Sequence, residues 1–147
     1  MFYVLYFSTE SRLDEVKEFL SKTLPDSKLS SDSDSELSIC NDSFTLRVTT
    51  NGHNLSFARE DYGCDFNYCF WFEIFTNNIK WSTKLIVITN NILTNIANEL
   101  VLESNGEKPF IYQDSSGVFI DPNLGGKESF PFGLISKEWK EKKLSRE

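Results

Sequence analysis

The stretch FNYCFWFEIF, Phe66–Phe75, decides how this chain is read. From Tyr68 to Phe75 it is apolar on both alternating faces except at Glu73, so it reads as an inner β-strand covered on each side. The opening residues MFYVLYFSTE have the same character. Phe2, Val4 and Tyr6 alternate with Tyr3, Leu5 and Phe7, so Phe2–Ser8 reads as a second inner strand. It carries no basic start and no small-residue cleavage site, so it reads as a strand and not as a signal peptide.

Between these two strands the pattern changes period. Ser11 opens S-R-L-D, a capping-box-like start with Asp14 at the third position. Leu13, Val16, Leu20 and Leu24 then fall three or four apart and line one face of a helix, which Pro25 ends near Thr23. Residues 26–35, with SSDSDS at their centre, read as a mobile acidic loop. Glu36–Asn41, Phe44–Thr50 and Leu55–Glu60 read as short strands, and Asn51-Gly52 as the tight turn of a hairpin joining the last two.

Beyond Phe75, Asn77 and Asn78 break the strand. Trp81, Leu85, Ile88, Ile92, Ile96 and Leu100 recur at helical steps, the clearest such stripe in the chain. Asn105-Gly106 closes it. Lys108–Gln113 and Gly117–Asp121 read as a hairpin over Asp114-Ser115-Ser116, and Pro122 with Gly125-Gly126 ends the sheet. Within a tail at 127–147, Ser136–Leu144 reads as a short basic helix with Trp139 and Leu144 as anchors. Hairpins dominate and βαβ alternation is absent. The expected fold is therefore α+β: an antiparallel sheet of about six to seven strands, two main helices packed on one face, and a short C-terminal helix.

The chain has 147 residues and 17.0 kDa, the size of one domain, 1–147. No apolar run approaches the roughly 18 residues that span a bilayer, so no membrane contact is expected and the cytoplasm is the expected compartment. The net charge is −7. Residues 1–79 hold six basic and thirteen acidic side chains, and the remainder is balanced. An acidic chain is a poor nucleic-acid binder, because phosphates require a cationic surface.

Catalytic and metal chemistry find little support. The lone histidine, His53, falls in the expected turn. No nucleophile elbow or phosphate loop occurs. Cys40, Cys64 and Cys69 lack the paired spacing of a zinc knuckle and read as small buried hydrophobes. Asp32, Asp34 and Glu36 alternate as calcium ligands can, without the glycine and distal glutamate of a calcium loop, and read as a solvated acidic segment. No catalytic residue, metal or cofactor is expected. Glu60, Asp61 and Asp65 instead flank Tyr62, Phe66 and Tyr68. Rings among carboxylates suit a protein-binding surface, where aromatic area anchors and charge steers a basic partner. The candidate partner-binding residues are Asp32, Asp34, Glu36, Glu60, Asp61, Tyr62 and Asp65.

The order of the aromatic strand Phe66–Phe75, a long helix and the segment NGEKPFIYQDSSGVFID (Asn105–Asp121) resembles small bacterial immunity proteins, those paired with toxins of the swarming-inhibition (Sit) type. The resemblance implies a cytosolic antidote that binds one cognate toxin domain, expected to be basic, and does no chemistry. It transfers no binding residues. The alternative is an acidic homodimeric chaperone of the type III secretion kind, though those resemble a helix-first pattern. A small-ligand domain or enzyme is a third class, since aromatic sheets can form apolar pockets. Monomer and homodimer both remain open.

Overall fold

The structure, a computed structural model, describes residues 1–33, 36–105, 108–123 and 130–146. Its strands are β1 (Phe2–Phe7), β2 (Lys28–Asp32), β3 (Glu36–Cys40), β4 (Phe44–Thr49), β5 (Tyr68–Ile74), β6 (Leu100–Ser104), β7 (Lys108–Asp114), β8 (Gly117–Ile120) and β9 (Trp139–Glu141). Its helices are α1 (Leu13–Thr23), α2 (His53–Tyr62) and α3 (Trp81–Asn95), with one 3-10 turn at Phe132–Leu134. The fold is α+β, as expected. The sheet has nine strands, not the six to seven expected, because β2, β6 and β9 add to it while residues 55–60 leave it, in the order β2-β3-β4-β5-β1-β6-β7-β8-β9. Every neighbouring pair is antiparallel except β8 and β9.

β1 is the middle strand, which explains why both its faces are apolar. Leu5 lies opposite Phe70 of β5 on one side and Leu102 of β6 on the other. Tyr3, Leu5 and Phe7 join Phe70 and Phe72 of β5 and Leu46 and Val48 of β4 in the larger core. α1 covers it with Val16 and Leu20, and α3 with Leu85, Ile88 and Ile92. These two helices share one face, as expected. Val4 and Tyr6 point to the other face, where a smaller core forms with Cys69, Val101, Leu55, Ala58, Cys64 and Phe66. That face is covered by α2, a third helix.

Four local expectations are corrected. α1 begins one residue after Arg12, and Glu15, not Asp14, reaches back to accept the Arg12 N–H at 2.9 Å. With Arg12 as the N-cap, Glu15 occupies the third helical position from which a carboxylate reaches back, and Asp14 falls one short of it. Lys28–Asp32, inside the expected loop, is an edge strand. Its five residues are all exposed and pair with β3 through a register shift between Leu29 and Ser31, so no apolar alternation marked it. α3 stops at Asn95, and Leu100 belongs to β6, the strand hidden inside the long stripe. Residues 136–144 form no helix. Trp139–Glu141 instead pair parallel to β8, with Trp139 against Phe132, because β8 would otherwise leave its outer ladder open.

Candidate functional site

The largest correction concerns the expected hairpin at Asn51-Gly52. Gly52, at φ 117°, turns the chain into α2, and Leu55 and Ala58, three apart, face the sheet. Gly63, at φ 63°, ends the helix in the left-handed conformation with its N–H on the Arg59 carbonyl at 2.9 Å. Arg59 Nε donates to the Phe66 carbonyl at 2.6 Å, tying the returning chain to the helix. Phe57, expected beside Leu55 on a buried strand face, points out and is 56% exposed.

α2 consequently presents two different sides. Its outer side carries His53 and Phe57, rings stacked at 6.3 Å, followed one turn on by Glu60. Asp65 follows on the exposed return. Among the described residues neither Glu60 nor Asp65 enters an ion pair. Glu60 thus stands one helical turn from an exposed aromatic ring.

Its inner flank carries Asp61 and Tyr62, which turn toward a buried carboxylate that the sequence reading missed. Glu103, on β6, is fully buried. It accepts a hydrogen bond from the Tyr62 hydroxyl and a second, at 3.2 Å, from Arg146 Nη1. Arg146 Nε also meets Asp61 Oδ2 at 2.5 Å. Burial raises the Glu103 pKa above the ordinary carboxylate value, and the Tyr62 hydroxyl and Arg146 guanidinium oppose that rise. Burial, reinforced by Glu103, raises the Tyr62 phenol and keeps it neutral. Glu103 was hidden because VLES was read as the tail of a helix. A lone acid within an apolar strand was the signal available.

Two further candidates lie on β2 and β3. Asp32 pairs with Lys17 of α1, and Glu36 with Arg47 at 3.5 Å. Asp32 is on the edge strand β2, whereas Glu36 lies opposite Thr49, and its partner Arg47 lines one cleft with Thr49 and with His53 and Asn54 at the start of α2. Asp34 lies outside the described residues, as do Gly106 and Gly125-Gly126.

All three cysteines are free. Burial pushes the Cys64 thiol up to about 11 and the Cys69 thiol up to about 12, which opposes thiolate chemistry near neutral pH. His53 is exposed on the first turn of α2 and not at a hairpin tip. Among the described residues no three His, Cys, Asp or Glu side chains are grouped to hold a metal ion. Every buried side-chain nitrogen or oxygen among them has a hydrogen-bond partner. No described helix is long and apolar enough to cross a membrane.

No family model, no curated protein and no solved structure matches this chain.

Proposed function

We propose that this protein acts by occupancy, binding and neutralising a basic toxin domain in the manner of an immunity protein. The observation that supports this reading is the outer surface of α2, where the exposed Phe57 ring sits one turn from Glu60, a carboxylate in no ion pair among the described residues. A ring supplies contact area at low entropic cost, and unpaired carboxylates accelerate encounter with a cationic surface. The helix is backed by a sheet through Leu55 and Ala58, so the surface is held before binding.

Co-expression with the product of the adjacent gene tests the proposal. The expected result is a toxic product made harmless by this chain and recovered with it in one complex. A product that is harmless alone, or equally toxic beside this protein, overturns it. Solution mass separates the chaperone alternative, which requires a stable dimer of this chain bound to a secreted protein.

A further inference from the structure

Residues 142–146 run from β9 across the second face of the sheet as a strap. The Lys142 N–H meets the Ile120 carbonyl at 3.0 Å, the Leu144 N–H meets Asp121 Oδ2 at 3.0 Å, and the Lys142 ammonium lies 5.0 Å from the Phe119 ring centre. Lys142, Lys143 and Ser145 are exposed and Leu144 is half-buried. Between the strap, α2 and β7 lies a cleft of about 320 Å³, walled by Asp61, Tyr62, Tyr112 and Asp114. The strap therefore bridges the body with little apolar burial, the condition for easy local opening.

One side chain of the strap goes deeper. Arg146 enters a socket whose floor is the fully buried Glu103 and whose lip is Asp61. The two carboxylates receive separate nitrogens of one guanidinium, and Tyr62 holds the other oxygen of Glu103 in place. A planar fork of donors fits two acceptors set this way, whereas an ammonium offers a single point charge. Opening the strap removes Lys142, Lys143 and Arg146 together. Glu103 is then left buried without its cation, an unfavourable state that favours recapture of a guanidinium. The lip that remains is acidic, with Asp61 and Asp114 beside the turn bearing Glu60.

We propose that Arg146 is an internal stand-in for an arginine side chain of a basic protein partner, and that the Glu103–Asp61–Tyr62 socket anchors that arginine once the strap lifts. This deepens the recognition reading and depends on it only for the source of the arginine. The socket's own chemistry can be tested without a partner.

The probe is N-acetyl-arginine amide, with N-acetyl-citrulline amide as the neutral isostere, titrated by calorimetry or amide NMR. Arg146→Ala should bind the arginine probe at least about tenfold more tightly than the unaltered chain, and Glu103→Gln in that background should remove about tenfold or more. Equal binding by the unaltered chain and Arg146→Ala overturns the proposal, as does equal binding of the citrulline probe. Should Arg146→Ala fail to fold, hydrogen exchange at the Leu144 amide of the unaltered chain decides the matter. The arginine probe should accelerate it and the citrulline probe should not, and no difference between them overturns the proposal. A socket that binds the probe in a chain that neutralises no toxin would sink the recognition reading alone.

Discussion

The Tyr62 hydroxyl donates to the carboxylate of Glu103, a side chain fully withdrawn from solvent on the strand next to the middle of the sheet. This bond and the Arg146 guanidinium keep a charged carboxylate tolerable where burial disfavours it.

Arg146→Ala should therefore destabilise in a pH-dependent way. The buried Glu103 pKa is already raised, and losing the cation raises it further. Across the window between the ordinary carboxylate value and that raised native value, the folded chain holds more protons than the unfolded chain, so stability falls as pH rises. The facing phenols of Tyr6 and Tyr62 are raised and stay neutral, and Asp61, also facing Arg146, is half-exposed. The expected loss is about 2 kcal/mol at pH 8, less than for a fully buried pair because Arg146 is partly exposed, and it shrinks at pH 5. Urea unfolding at both pH values measures it. Equal losses would show that Glu103 is not the group left uncompensated.

Reversing charge at the outer side of α2 should slow association with a basic partner. Glu60→Lys with Asp65→Lys is the cleaner pair, because Asp61 is already committed to Arg146. Stopped-flow rates at low salt should drop by about tenfold or more and converge with the unaltered protein at high salt. An unchanged low-salt rate places the interface on another surface.

Leu85→Ala and Ile92→Ala should each cost about 2–5 kcal/mol, since both side chains are fully buried between α3 and the sheet. Denaturant midpoints give the values. A negligible loss would mean that this stripe does not close the core.

The helical reading of residues 53–62 separates from a hairpin by two substitutions. Phe57→Ser should change stability by less than about 0.5 kcal/mol, because the ring is exposed. Gly63→Ala should cost about 1 kcal/mol, because φ 63° places an L-residue in the left-handed region. A large loss at Phe57 would restore the strand.

Thiol labelling at pH 7.5 should modify Cys40 first. Cys40 is half-exposed, whereas Cys64 and Cys69 are buried with raised pKa values. Rapid labelling of all three without denaturant would contradict the packing beneath α2.

Several elements were legible because their signal is local. β1 is apolar on both faces because both are covered, and β5 is covered fully on one face and in part on the other, so their inner position could be read from alternation alone. α1 and α3 follow from helical spacing. α2 was misread because Leu55 and Phe57 mimic a strand, while the deciding residues are Ala58, small enough to pack inward, and Gly63, which stops the helix. The candidate acids were found by composition, yet composition could not separate Glu60 and Asp65, in no ion pair among the described residues, from Asp61, which is engaged by Arg146.

Local residue patterns were enough for the class of fold, the two inner strands and the acidic, aromatic character of the middle of the chain. These depend on periodicity and charge within a few residues. Long-range packing alone sets which face α2 covers, makes Leu100–Ser104 a strand, and brings Glu103 and Arg146 together across 43 positions. A buried carboxylate is stable only where a distant chain segment brings it a counter-charge, and no local pattern encodes that meeting.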